Sequence, residues 1–417
     1  MNKHVKTCEL KGTISIPSSK SDGQRALLAA MLNVEKSILL KNIGDSEDLN
    51  KMCGIIESCG GIIHPLDGRK VEVTGITELP VNVHVDCGES GLGLRLFTFV
   101  CSSFPGKKHL SGTGTLLNRE HSFFFEYLPQ MGVEIEATNR KLPFRLKGTL
   151  KGGLYTVDGS QSSQYISGLL MALPLLDEDS ELHVNNLLSR PYVEMTLQTL
   201  DSFGINIEYK DFNRFIVKGN QKYRSNEYTV ENDWSSASYW LIAAALGHDI
   251  SLSGLNIESK QADKEILNAL ALCGCDVRLK DGILRVEGSN RIPFEFDATH
   301  CPDLIPSLVV LAAFCDGTST ITGASRLTNK ESKRGEVLKN EFGKVGIRID
   351  LMGDVLKIYG GAELHSAEVD SNKDHRIAMS LAIVATKVKG GLIVKNAASV
   401  AKSYKNFWED FESLITH

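Results

Sequence analysis

Six stretches of the chain are apolar almost without interruption: "RALLAAML", "GLGLRLFTFV", "YISGLLMALPLL", "SSASYWLIAAALG", "PDLIPSLVVLAAF" and "HRIAMSLAIVATKV". Apolar on every side, they predict helices inside a core rather than on its surface. After each comes a short strand-like segment: "SILLKNI", "KHLSGTG", "ELHVNNL", "DISLSGL", "STITGAS" and "GLIVKNA". A second, amphipathic pattern runs five times into a glycine and then into alternating apolar residues, as in "IIESCGGII", "YLPQMGVEI", "LDSFGINI", "LALCGCDV" and "FGKVGIRI". The glycines are Gly60, Gly132, Gly204, Gly274 and Gly346, about 70 residues apart, and each reads as a helix C-cap. A third series, "VEVTGI", "FRLKGTL", "FIVKGN", "LRVEGS" and "LKIYGG", stands before the next buried helix.

One repeat therefore holds a buried helix, a strand, an amphipathic helix and further strands. Six repeats fit the chain, the last closing on the N-terminal strands "HVKTCELKGTISI". The period is too long for a solenoid. A chain of 417 residues is also too long for one core, so an α/β architecture of two globular domains, three repeats each, is expected. The phase of the repeat puts residues 20–228 in one domain and residues 229–417 with 1–19 in the other, so that the chain crosses between them twice.

The starts of the buried helices share a chemistry. They read "SSKSDGQR", "CGESGLGLR", "GSQSSQY", "ENDWSSAS", "HCPDL" and "NKDHR". Serine and aspartate there are ordinary N-caps. Capping does not account for Lys20, Arg25, Arg95 or Arg376, because a cation opposes the positive end of the helix dipole, nor for the neutral amide of Gln164 beside them. A helix start does hold anions well, through its free N–H groups. Two readings stand side by side: capped helices with solvated cations, or a convergent anion site. "LTNKESKRGEVL", with Lys330, Glu331 and Arg334, is either a solvated helix face with i,i+3 and i,i+4 pairs or part of that site. Lys402 in "VAKSYKNFWEDF" and Arg119 in "GTGTLLNREHS" extend the set. The Gly112-Thr-Gly114 element lacks a Walker lysine and a dinucleotide fingerprint.

Net charge bears on this choice. At −5 the chain offers no reason for nucleic acid or an anionic membrane as a general partner, so cations that bind an anion must be gathered locally. No apolar run reaches the roughly 18 residues of a membrane span, and the N-terminus has no secretory apolar region. Nine scattered cysteines fit reduced, buried thiols of a cytoplasmic protein, and no set has metal-ligand spacing.

Lys20-Ser21 with Arg25, "SQSSQY", "SRPYVEMTL", Asp303 after Pro302, "KESKR", "DHRIAM" and Lys402 occur in an order that is similar to the enolpyruvyl transferases, specifically the EPSP synthase (3-phosphoshikimate 1-carboxyvinyltransferase) family, over nearly the whole chain. The resemblance implies two domains of three βαβαββ units with helix N-termini converging on an interdomain active-site cleft. It implies transfer of the enolpyruvyl group of phosphoenolpyruvate to the 5-hydroxyl of shikimate 3-phosphate, with release of phosphate, in the route to chorismate and the aromatic amino acids. Together those substrates bring roughly six negative charges, which opposing charge in a poorly solvated site grips strongly. By resemblance, Lys20, Ser21, Arg25, Ser162, Ser163, Gln164, Ser189, Asp303 and Lys330 meet shikimate 3-phosphate. Lys20, Gly91, Arg119, Gln164, Arg334, Arg376 and Lys402 meet phosphoenolpyruvate. Asp303 is the candidate acceptor of the hydroxyl proton, and Glu331, with Lys20 as rival, the candidate carrier of the C3 proton. No metal or organic cofactor is called for, and a cytoplasmic monomer is expected.

The chain departs from the family pattern in places. Glu89-Ser90-Gly91-Leu92 stands where Asn-Ala-Gly-Thr is usual, Thr115 where a basic residue precedes Arg119, Glu120 where proline follows it, Arg326 where an asparagine is common, and Lys402-Ser403-Tyr404-Lys405 at the end. Two rival readings remain: the sister enzyme acting on UDP-N-acetylglucosamine, whose loop carries a cysteine that "GTGTLLNREH" lacks, and a non-catalytic anion binder, against which Asp303 and Glu331 both speak.

Overall fold

The computed structural model describes residues 1–416 apart from Lys36, Ser289 and Asn329. It divides into two compact units, Ser18–Glu231 and Met1–Pro17 with Asn232–His417.

In the Ser18–Glu231 unit the apolar runs form the helices Lys20–Met31, Gly91–Ser102 and Ser163–Ala172, which pack on one another. Almost every residue of all three is buried, which is why they carry no polar stripe. Gly168 lets two of them meet: a Cβ there would lie 2.5 Å from the Arg95 carbonyl oxygen. Around the helices stand three four-stranded sheets. In one, the strand before the buried helix, Asn82–Asp86, runs parallel to the strand after it, Lys107–Ser111. The strands beyond the amphipathic helix, Val133–Glu136 and Phe144–Gly148, fold back antiparallel. This is the βαβαββ unit, its parallel pair bridged by a helix as parallel strands require. Gly153–Asp158 leads a second sheet in the same way. The first sheet takes its leading strand, Glu227–Thr229, from the far end of the unit, parallel to Ile38–Lys41.

The other unit repeats the plan with the buried helices Trp234–Ala245, Ile305–Ala313 and His375–Ala385. Lys11–Ser15 leads its first sheet beside Asp249–Ser253, and Glu295–Asp297 leads its second beside Thr318–Thr322. Its third sheet has three strands: Ala367–Asp370, Leu392–Lys395 and, antiparallel to the latter, Lys3–Val5. The N-terminal segment is thus divided. Only Lys3–Val5 closes the last repeat, whereas Lys11–Ser15 opens the fourth.

The five glycines expected as caps all adopt positive φ, from +73° at Gly204 to +102° at Gly346. The "YLPQMGVEI" helix is shorter than its pattern: Ser122–Tyr127 is α-helical and Pro129–Met131 is a 3₁₀ turn, because Pro129 has no N–H to continue the ladder. All nine cysteines are free thiols, seven of them buried.

Candidate functional site

Each unit gathers cations at its helix starts. In the Ser18–Glu231 unit Ser19 caps the first helix, its hydroxyl accepting from the Asp22 amide at 3.3 Å. Lys20, in the first turn, pairs with Asp48 at 3.1 Å, and the Asp48 side chain is only 6% exposed. Arg25 is wholly buried. Its Nη1 donates to the Ser21 carbonyl at 2.8 Å, its Nε to the Thr196 hydroxyl at 2.7 Å and its Nη2 to the Tyr192 carbonyl at 3.0 Å. Burial pulls this guanidinium down to about 10, partly offset by Asp22, so it stays charged at neutral pH. Arg25 therefore braces Ser21 against the Arg190–Ser202 helix.

The second and third helix starts converge on Gly91. A Cβ at that position would lie 2.9 Å from Arg95 Nη1 and 3.0 Å from Arg119 Nη1, so glycine keeps open a space flanked by two guanidinium groups. Arg95 Nη1 also donates to Gln164 Oε1 at 2.5 Å, and its guanidinium lies over the Tyr165 ring at 4.9 Å. The Ser162 hydroxyl caps the third helix by accepting from the Gln164 amide at 3.3 Å, and Ser163 follows, buried. Burial, then Arg95 and Arg119, push His121 down to about 2, so this ring adds no charge to the cluster. Ser189, at φ +55°, is the buried residue before the Arg190–Ser202 helix.

Glu89 does not face the guanidinium groups alone. Its carboxylate lies against Gly114, where a Cβ would come within 1.6 Å of Oε1. It accepts from the Thr115 hydroxyl at 3.3 Å, and Thr115 in turn accepts from Arg119 Nη2 at 3.5 Å. The glutamate and the threonine, both departures from the family pattern, are thus partners. A cavity of about 610 Å³ lies nearby, lined among others by Glu47, Asp48, Asp86 and Glu89. Its acidic wall makes it a poor place for an anion.

In the other unit one carboxylate is the hub. Asp303, on the Pro302–Leu304 turn, accepts from Lys330 at 3.1 Å and from Arg334 Nη1 at 2.9 Å through Oδ1, and from Arg376 Nη2 at 2.9 Å through Oδ2. Burial alone would raise its pKa, but Arg376, Lys330 and Arg334 outweigh it and hold the group well below the usual carboxylate range. Arg334, itself wholly buried, forks onto Asp374 at 2.9 and 3.2 Å and reaches Glu331 at 2.7 Å. Asp374 doubles as the N-cap of the His375–Ala385 helix, accepting from the Arg376 amide at 3.0 Å. Lys402 is buried, 3.9 Å from the Glu331 carboxylate. Burial lifts Asp263, 4.0 Å from Arg376, to about 7.

The candidate site residues divide between the two units: Lys20, Ser21, Arg25, Gly91, Arg119, Ser162, Ser163, Gln164 and Ser189 lie in one, and Asp303, Lys330, Glu331, Arg334, Arg376 and Lys402 in the other. Sequence reasoning missed Asp48, Asp263 and the bracing pair Tyr192 and Thr196. The signals were weak: Asp48 in a first helical turn looks like any acid favoured by the dipole.

The fold is that of the enolpyruvyl transferases. EPSP synthase from Acinetobacter baumannii aligns with a TM-score of 0.80 over 99% of this chain and 98% of that one, at 22% identity. The enolpyruvyl transferase NikO from Streptomyces tendae aligns equally well, with a TM-score of 0.80 over 99% of this chain and 97% of that one, at 17% identity. In sequence, the chain is 36% identical to the 3-phosphoshikimate 1-carboxyvinyltransferase of Clostridium kluyveri over 414 residues, 98% of this chain and 96% of that protein. It is 37% identical to the enzyme of the same name from Clostridium perfringens over 410 residues, 97% and 96% of the two chains. The sequence model of the family described as EPSP synthase (3-phosphoshikimate 1-carboxyvinyltransferase) matches residues 5–411, and the chain belongs to that family.

Proposed function

We propose that the two cationic clusters act on one pair of substrates, shikimate 3-phosphate and phosphoenolpyruvate. The reaction of the family is the transfer of enolpyruvyl to the 5-hydroxyl, with phosphate as the leaving group. The hydroxyl oxygen bonds to C2 of phosphoenolpyruvate while C3 gains a proton. The resulting ketal loses a C3 proton and phosphate, restoring the double bond. Lys20, Ser21, Ser162, Ser163, Gln164 and Ser189 hold shikimate 3-phosphate, with Arg25 bracing Ser21 and Asp303 and Lys330 meeting the ring hydroxyls. Gly91, Arg119, Gln164, Arg334, Arg376 and Lys402, with Lys20, hold phosphoenolpyruvate.

The observation that carries this reading is the hub at Asp303. A carboxylate bonded by three cations is a feeble base. An arriving phosphate and carboxylate compete for those same cations. As Arg334 and Arg376 turn to the substrate, the restraint on Asp303 is relieved and it becomes able to take the hydroxyl proton. Glu331, between Arg334 and Lys402, is the matching carrier for the C3 proton, with Lys20 as its rival. The working form is read as a cytoplasmic monomer, a compartment favoured by nine free thiols.

The test is phosphate release from phosphoenolpyruvate by the purified chain. Release that requires shikimate 3-phosphate supports the assignment. A folded protein releasing none, or releasing it only with UDP-N-acetylglucosamine, overturns it.

A further inference from the structure

The first helix start carries a carboxyl side chain that has no role in the reaction assigned above. Asp22, between Ser21 and Arg25, turns inward and is 4% exposed. Its Oδ1 accepts from the Tyr228 hydroxyl at 2.8 Å, and its Oδ2 from the Glu231 amide at 2.9 Å. The Glu231 carbonyl accepts from the Ser19 amide at 2.7 Å, and the Ser19 hydroxyl accepts from the Asp22 amide. Together these bonds close a ring between the first turn of the helix and Glu231, the last residue of its unit. Ser21 therefore sits between two braces. Arg25 ties it to the Arg190–Ser202 helix, and Asp22 ties it to the segment beyond the Glu227–Thr229 strand.

A carboxylate is a costly choice for architecture alone, because burial disfavours its charged form. The groups facing it are Tyr228 and Glu231 from the terminal segment and Arg25 from its own helix. Burial lifts Asp22 to about 6 despite the Glu231 amide, the Tyr228 hydroxyl and Arg25, with the Glu231 carboxylate pushing the same way. Tyr228, raised by burial and by Asp22, stays a donor at neutral pH. Charge matters to the ring for a geometric reason. Two N–H or O–H donors point at Asp22, and only the ionised carboxylate offers an acceptor to both without presenting a proton to either. Protonation, or an amide in its place, turns the Tyr228 hydroxyl from donor to acceptor and removes the charge that strengthens both bonds.

We propose that Asp22 is a positioning residue for shikimate 3-phosphate, its carboxylate fixing the turn that presents Lys20 and Ser21 to the phosphate-bearing substrate. This rests on the reaction assigned above and adds to it a residue that the reaction does not itself require.

The experiment compares wild type with Asp22→Asn and Tyr228→Phe as full-length chains, by phosphate release and by direct titration with shikimate 3-phosphate from pH 5 to 8. Asp22→Asn is expected to raise the KM for shikimate 3-phosphate about tenfold at pH 7.5, the size expected from one lost bond to a charged group. The KM for phosphoenolpyruvate and kcat should move much less, and the thermal midpoint should hold or rise. The affinity ratio of wild type to variant should fall toward one as pH drops below about 6, a ratio in which the substrate's own phosphate titration cancels. Tyr228→Phe should shift the same KM by less and keep the pH dependence. Equal KM values for wild type and Asp22→Asn would overturn the proposal, as would a parallel loss of both substrates' affinity and of thermal stability. A wild type without activity overturns the reaction assignment instead, so the two failures are distinguishable.

Discussion

Asp303 receives three cations, and its removal separates chemistry from binding. Asp303→Asn keeps the shape of the hub while weakening its hold on Lys330, Arg334 and Arg376. We expect kcat to fall about 10²–10⁴-fold, the usual worth of one positioned acid–base group, with a smaller change in the KM for phosphoenolpyruvate. Steady-state phosphate release checks it. Asp22 gives a residue-scale prediction with a pH sign. Its carboxyl titrates near 3.8 when unfolded and at about 6 when folded. The folded state therefore binds the proton more tightly, and stability present below pH 4 is lost as pH rises through 6. Two pH units correspond to about 3 kcal/mol at most. Urea unfolding of wild type and Asp22→Asn should show the wild type losing ground to the variant between about pH 4 and pH 6, with little further change at higher pH. The reverse trend would mean that Asp22 is stabilised by its ring. Of the residues at this scale, Lys20, Arg25, Arg95 and Arg376 were legible in the sequence because cations at helix starts contradict the dipole, whereas Arg119, Lys330, Arg334 and Lys402 were assigned by resemblance to the family. Their carboxylate partners were not legible. Asp48, Asp374 and Asp22 sit where an acid is ordinary, and only distance distinguishes a hub from a cap.

Two glycines show how elements place these groups. Gly60 caps the Glu47–Ser58 helix at φ +96° with nothing within 4 Å of a would-be Cβ. Gly60→Ala should therefore suffer only backbone strain, about 1–2 kcal/mol, with no effect on either KM. Gly168 lies between two buried helices, where a Cβ meets the Arg95 carbonyl at 2.5 Å and a Phe99 ring carbon at 2.7 Å. Gly168→Ala should force the helices apart at about 1–3 kcal/mol and, because Arg95 holds Gln164, also weaken substrate binding. Thermal melts with KM values on both variants test the contrast. The cap was readable because glycine after an amphipathic run has one common use. The crossing was not, since a glycine in a buried helix names no neighbour. Among strands, the series that follow the helices were read, whereas the internal leading strands were not, Asn82–Asp86 and Gly153–Asp158 included. The leading strands Glu227–Thr229 and Glu295–Asp297, three residues each, carry too little pattern to be seen without their parallel partners.

At the scale of the whole chain, strand exchange within each unit fixes what can fold alone. The Ser18–Glu231 unit supplies all the strands of its three sheets, including the late strand Glu227–Thr229. The other unit draws Lys3–Val5 and Lys11–Ser15 from the N-terminus. A fragment of residues 18–231 should therefore fold cooperatively by circular dichroism, whereas residues 232–417 should need the peptide 1–17 added in trans. The sixfold repeat made this plan largely visible in the sequence. The division of the N-terminal strands between two repeats escaped it, because adjacent strands in sequence need not share a sheet. What joins the scales is charge: a chain of net −5 holds Lys20, Lys330, Arg334 and Arg376 on its own carboxylates. The most direct measurement is phosphate released from phosphoenolpyruvate with and without shikimate 3-phosphate. One phosphate per enolpyruvyl product is expected, and none when shikimate 3-phosphate is withheld. Folded chain that releases no phosphate with both substrates present would contradict the assigned reaction.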